Sequence, residues 1–239
     1  MAYLFKPAAI EMEDMLLEIA DRNGVKKYNF ALYMPTFFDY DGVVPHTLIC
    51  ALSNEPGQLK TPLDNLYRDV CRKAAAGAST RQVSPKDGFD IIFSDHWNGE
   101  IDDICRSCLG IKSLFLTEKN HYRHMKHIDF GIQGDVHGNE IEHALEELNA
   151  IKTGNGWLVF SGNSYHFHGM DSLDHMEWKR YMGMLAEQAE KKDTALDEKW
   201  PGMQLARGCS ILRLTEAPNV ADLMPMKPKP VVIGKIEEK

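Results

Sequence analysis

The chain reads as an α+β protein with a mixed or antiparallel central sheet flanked by helices. Three observations predict this. Apolar residues switch repeatedly between helical and strand spacing along the chain. Several strand-like runs are joined by short Gly-, Asn- or Ser-bearing turns, which suit hairpins rather than long crossovers. The 239 residues, 44% hydrophobic and 26% charged, have ordinary globular composition. A chain of this length buries roughly 70% of the surface its unfolded form exposes and needs no covalent staples.

The elements follow in order. Met12, Met15, Leu16 and Ile19 recur at helical spacing within residues 9–22, and Asn23-Gly24 is a stop signal. Residues 28–34 and 46–52 read as strands. Gly57 and Pro62 punctuate the next loop, and a helix runs from Pro62 to Ala76 with Pro in its first turn. Residues 77–88 are polar and loop-like, and Phe89 to Phe93 is a short strand. Leu114 to Thr117 is another strand, and a third ends near Phe130. From Asn139 to Asn149, Ile141, Ala144, Leu145 and Leu148 form one apolar helical face opposite a row of glutamates. Trp157 to Phe160 and Tyr165 to His168 are strands around a Gly162-Asn163 turn. A long helix spans Asp171 to about Lys191, and residues 209–214 form a last strand. The expected organisation is an N-terminal layer over 1–110, a core over 111–219 and a peripheral tail over 220–239.

Charge and cysteines bound the function. Twenty-seven basic and 35 acidic residues give a net charge of -8, which argues against broad non-specific gripping of nucleic acid. It leaves room for an enzyme that handles nucleotides through a local cleft. No apolar run approaches the roughly 18–20 residues a membrane helix needs. The first residues lack the plan of a secretory signal, and five cysteines is an odd number. Reduced thiols, a cytoplasmic location and no membrane partner are therefore expected.

Three blocks could carry chemistry. In His127-Ile128-Asp129-Phe130-Gly131, strand alternation places His127, Asp129 and Gly131 on one face. Asp129, flanked by core residues, needs a metal, a cation or backbone donors, or else caps a turn. In Ser161-Gly162-Asn163-Ser164-Tyr165-His166-Phe167-His168-Gly169, a turn with hydroxyls and open N–H groups suits phosphate oxygens, and His166 and His168 share a strand face. A polar hairpin with incidental histidines is the plainer alternative. Third, Asp197 precedes a strand in which Arg213 lies among apolar residues. A buried guanidinium calls for an anion, either an internal carboxylate or a phosphate.

The order of these blocks resembles the archaeo-eukaryotic primase superfamily: an acidic strand, a Ser-x-His-type turn, then an Asp before an Arg-bearing strand. The run from Leu212 through Asn219 looks like that superfamily's third-block stretch. Glu177-Trp178 in a helix and the segment Asp197 to Thr215 look most like the divergent bacterial primase 1D-like branch, over about residues 112–219. The resemblance implies a primase-polymerase-like core and two-metal nucleotidyl transfer with Mg²⁺ or Mn²⁺. It implies nucleoside triphosphates and single-stranded nucleic acid as partners. Asp129, Asp197 and His166 then take the catalytic positions. Ser161, Asn163, Ser164, His166, His168 and Arg213 meet the nucleotide. Asp129 and Asp197 hold metal, with Asp135 as a further candidate. One departure stands out: the second carboxylate of the acidic strand motif is Gly131. A descendant that binds nucleotide or nucleic acid without catalysis is therefore the alternative.

Two other patterns compete. Gly134-Asp135-Val136-His137-Gly138-Asn139 looks like the opening of calcineurin-like metallophosphoesterases, but later blocks of that family are missing. Cys105, Cys108, His121 and His127 satisfy a finger-like Zn²⁺ spacing. Lys119, His121, Arg123, His124, Lys126 and His127 form a basic run leading into Asp129, a candidate track for a phosphate backbone.

Overall fold

A computed structural model describes residues 3–33, 38–39, 42–43, 48–60, 62–78, 90–95, 99, 101, 104, 106–134, 136, 138, 140–216 and 228–239. The architecture is α+β. Ten strands form one antiparallel sheet: β1 (Tyr3–Pro7), β2 (Val25–Tyr33), β5 (Leu48–Asn54), β6 (Asp90–Phe93), β7 (Cys108–Thr117), β8 (Tyr122–Asp129), β9 (Gly156–Phe160), β10 (Tyr165–Leu173), β11 (Ile211–Arg213) and β12 (Val231–Glu238). A separate two-residue pair, β3 (Phe38–Asp39) and β4 (Gly42–Val43), lies off it. The order across the sheet is β1-β12-β9-β10-β8-β7-β2-β5-β6, with β11 also on β7.

Five α-helices are present among the described residues: α1 (Met12–Asn23), α2 (Leu63–Gly77), α3 (Glu140–Ile151), α4 (His175–Ala189) and α5 (Trp200–Arg207). Two cores result. Met15, Leu16 and Ile19 of α1 and Leu66 and Val70 of α2 share one with Phe30, Ile111 and Phe115. Ala144 and Leu148 of α3 and Trp178, Met182 and Leu185 of α4 share the other with Ile128, Phe130, Leu158 and Phe167. Each of these four helices buries the apolar stripe its spacing predicts. Gly24, at φ +56, ends α1 in the left-handed conformation that glycine adopts without strain.

One feature of the sheet positions the site. β7 pairs with β8 only through Leu114–Leu116. Farther along, Gly110–Lys112 pair with β11 instead. The sheet therefore opens beside the second half of β8, and β11 enters there carrying Arg213.

Three expectations are corrected. The tail is not peripheral: β12 lies between β1 and β9, with Val232 and Ile236 buried, because the β-branched Val231, Val232, Ile233 and Ile236 favour a strand. The long helix begins at His175 rather than Asp171, because Asp171–Leu173 extend β10 and Asp174 and Glu177 form a capping box. An unforeseen helix, α5, follows Asp197.

Candidate functional site

β8 and β10 bring two sequence blocks into register. Asp129 stands opposite His166, and His127 opposite His168. Opposed residues on neighbouring strands project to one face, as do residues two apart on one strand, so these four side chains form a grid. His166 Nε2 lies 3.4 Å from Asp129 Oδ1. The Asp129 side chain is 27% exposed and His166 only 7%, so the carboxylate is the side that meets solvent. Behind them, the His127 and His168 rings stand edge to face at 5.0 Å between centroids and are wholly buried. Burial pushes the His168 imidazole down to about 3. Burial first, then neighbouring imidazoles, holds His127 well below the usual histidine range. Both are neutral at pH 7.

The third block joins this corner through backbone. The Asp197 amide donates to the Asp129 carbonyl at 3.1 Å, and the Gly131 amide donates to the Ala195 carbonyl at 2.9 Å around a Phe130–Leu196 bridge. Asp129 and Asp197 are therefore neighbours across that bridge. Their carboxylates have different work. Asp197 Oδ1 accepts the amides of Lys199 at 2.9 Å and Trp200 at 2.7 Å, holding the first turn of α5 and leaving Oδ2.

Gly131 explains itself sterically. A Cβ there would sit 3.0 Å from the Leu196 carbonyl oxygen and 3.1 Å from the Asp197 Cα. The backbone of the third block crowds the place where a second strand carboxylate would start and would have to give by a few tenths of an ångström. A two-metal centre requires several converging carboxylates. With Gly131 filled in by backbone and Asp197 Oδ1 engaged, the described residues do not fit one. Among the described residues no group of three or more His, Cys, Asp or Glu side chains could hold a metal ion. Asp135 lies outside the described residues, as does His137.

Arg213 enters from β11, opposite Gly110. Its guanidinium donates to the carbonyls of Thr215, Pro228 at 2.8 Å and Ser161. The sequence predicted an anion for it, but among the described residues no carboxylate lies within ion-pair distance. Burial lowers its pKa, and Tyr33, Cys108 and Asp129 act against that, so Asp129 feels its charge. Arg213 ties the Ser161 turn to the chain leading into β12. The turn is otherwise self-contained: Ser161 Oγ donates to the Ser164 carbonyl at 3.1 Å, and Ser164 Oγ to Phe130 O. Asn163 is exposed, and Gly162 takes a φ of +106.

Other predicted residues do not assemble. Cys108 starts β7 and His121 follows its far end, about 30 Å away by strand rise. The two cannot share a zinc ion, and Cys105 lies outside the described residues. The basic run also dissolves. His124 and His127 are buried, Lys126 donates to the Thr153 carbonyl, and Arg123 bonds Ser172 and reaches Glu177 at 3.8 Å. Strand alternation splits such a run between two faces.

Two neighbours escaped the sequence reading. Tyr33, at the end of β2, is buried, and its hydroxyl pKa responds to Arg213 and Asp129. Nothing near it in sequence signals that. Ser210 Oγ lies 3.2 Å from His127 Nδ1. Its place just before the Arg213 strand was the available hint.

No helix long and apolar enough to cross a membrane occurs among the described residues. No curated protein matches the chain, and no solved structure does. A family model, archaeo-eukaryotic primase 1D-like, matches residues 100–225, and this span holds all three blocks. On that match, covering 126 of 239 residues, the chain belongs to the archaeo-eukaryotic primase 1D-like family and carries a primase-polymerase-like nucleotidyltransferase fold.

Proposed function

We propose that the chain binds the triphosphate of a nucleotide at the corner between Asp129, His166 and the Ser161 turn, as a binding module on a nucleotidyltransferase fold. The observation that carries this is Arg213: a buried cation beside the corner with carbonyl acceptors only and no carboxylate in ion-pair reach among the described residues. Among the described residues no carboxylate pairs with it directly, so an anion at the corner gains from its charge. Arg213 acts through its field and by fixing the turn. On this reading His166 Nε2, which stands 3.4 Å from Asp129 Oδ1, donates to a phosphate oxygen when the nucleotide is bound. Ser164 and Asn163 supply the turn around it.

Mg²⁺ or Mn²⁺ arrives, on this reading, with the triphosphate, and Asp129 is the carboxylate that meets it. Primer synthesis on single-stranded nucleic acid is the active form of the same site. The closed space at Gly131 and the capping role of Asp197 favour binding without transfer. Calorimetric titration of nucleoside triphosphates, with and without Mn²⁺, tests the reading beside a primer-synthesis assay on a single-stranded template. We expect saturable binding and no primer. The absence of triphosphate binding in both conditions overturns the proposal, and primer formation overturns its non-catalytic half.

A further inference from the structure

Away from the corner, one buried donor has no acceptor. Gln204 of α5 is wholly buried, and its Oε1 accepts the Ile211 amide and Arg207 Nη1, each at 3.2 Å. An amide N–H donates only to oxygen here, so Ile211 fixes the Gln204 orientation and makes Nε2 the open end. Gln204 Nε2 is buried without a hydrogen-bond partner. A buried donor in that state calls for an acceptor that the protein does not supply.

Two cations stand beside it. Arg207 ends α5, is partly buried and rests one nitrogen on the same Gln204 amide. Lys112 of β7 stands opposite Ile211, the residue whose amide holds Gln204. Directly opposed residues have Cβ atoms about 5 Å apart. Among the described residues neither cation has a carboxylate in ion-pair reach. Cys209 lies between the two elements and feels both charges: burial pushes its thiol up, and Lys112, then Arg207, act against that. A cation at a helix C-terminus also complements the helix dipole, which accounts for Arg207 alone. It leaves Lys112, from another element, and the open Gln204 amide unexplained.

We propose that Lys112, Arg207 and Gln204 form a second oxyanion site, for one phosphate dianion. The guanidinium fork, the ammonium and the amide N–H offer donors from three side chains. Two cationic charges match a phosphate group of about −1.5 to −2 and exceed the single charge of a carboxylate. Lys112 and Arg207 are partly exposed, so the site opens to solvent through them. It uses none of Asp129, His166 and Arg213 and requires no metal ion. Its failure leaves the triphosphate reading standing, and the reverse holds too.

The test uses the full chain without divalent metal. Inorganic phosphate, a nucleoside monophosphate and acetate are titrated separately at constant ionic strength. NMR of the ¹⁵N-labelled chain follows the Gln204 side-chain amide and the Arg207 guanidinium, and affinity is read from the Gln204 shift. We expect both groups to move saturably with a phosphate and not with acetate. Equal affinity for the two phosphates identifies the free group as sufficient, and preference for the monophosphate identifies a nucleotide as its source; either supports the site. Arg207→Gln and Lys112→Gln should each weaken phosphate binding at least about tenfold, the worth of one charge-assisted hydrogen bond. Lys119→Gln removes the same charge from the exposed turn after β7 and should leave affinity unchanged. Lys112 is partly exposed on its strand, so its variant serves if Arg207→Gln does not fold. A Gln204 amide that neither phosphate moves, or that acetate moves equally, overturns the proposal, as does unchanged affinity in the folded variants.

Discussion

Asp129 and Asp197 sit one backbone hydrogen bond apart and have opposite surroundings. Asp129 lies on a strand, faces His166 and opens to solvent. Asp197 lies where the chain turns into α5 and gives one oxygen to two backbone amides. The same contrast recurs along β8. His124 has both ring nitrogens in hydrogen-bond reach of a neighbour, Ser113 at 3.1 Å and His175 at 3.2 Å, and stacks on Trp178. His127, three residues on and therefore on the other face of β8, keeps Nε2 unpartnered. Position in a block therefore does not assign a role. Polar groups whose hydrogen bonds the fold fills are structural, and a solvent-facing carboxylate such as Asp129 is where a ligand can be met.

Arg213 gives the largest expected break in this contrast, because it serves both sides. Arg213→Met strips donors from three carbonyls, two of them on the segments flanking the corner. We expect a loss of at least about 4 kcal/mol in urea unfolding, from several charged hydrogen bonds removed at once. A loss below 1 kcal/mol would show that these carbonyls are hydrated instead.

A smaller effect comes from pH at the satisfied end of β8. Burial, with His175 adding, pushes His124 down to about 4. The unfolded chain takes up this proton as pH falls through about 6.5, while the folded chain resists until about 4. Stability from this group is thus complete above pH 6.5 and declines between 6.5 and 4, by up to about 3 kcal/mol. Unfolding curves at pH 7 and pH 5 should converge in His124→Phe relative to the unsubstituted chain. An unchanged pH slope in that variant would remove His124 as the cause.

Gly131→Asp comes next. Its added Cβ must push the Leu196–Asp197 backbone, for an expected cost of about 2 kcal/mol and no gain in primer synthesis. Restored primer synthesis would show that the space can open. The smallest effect separates the two aspartates. Asp197→Ala should lower stability by about 1 kcal/mol through the lost amide acceptor and leave triphosphate affinity within about twofold. Asp129→Asn should leave stability nearly unchanged and remove the Mn²⁺-dependent part of that affinity. If the two variants exchange these effects, the roles assigned to them are reversed.

Much of this was legible in the sequence. Period-two and period-3.6 patterns located most of the sheet and four of the five helices, and block order indicated the family. Alternation correctly placed His166 and His168 opposite Tyr165 and Phe167, which enter the core. What escaped depends on distant pairing. β12 looked like a tail because its partners, β1 and β9, are far away in sequence. Arg213 was expected to meet an anion, since charge is visible in a sequence and carbonyl acceptors are not. The capping role of Asp197 needed α5, a helix of eight residues with Pro and Gly inside it and little periodic signal. The finger-like spacing of Cys108 and His121 failed because a straight strand separates them.

The central claim is that the corner holds phosphate through His166, and it is tested most directly by titrating a nucleoside triphosphate into the unsubstituted chain and into His166→Ala. His166 is only 7% exposed, so the variant is titrated at a temperature where its own unfolding curve shows it folded. The account predicts one saturable site whose affinity falls at least about tenfold in the variant, the cost of one charge-assisted hydrogen bond. Equal affinity in the two proteins would contradict it.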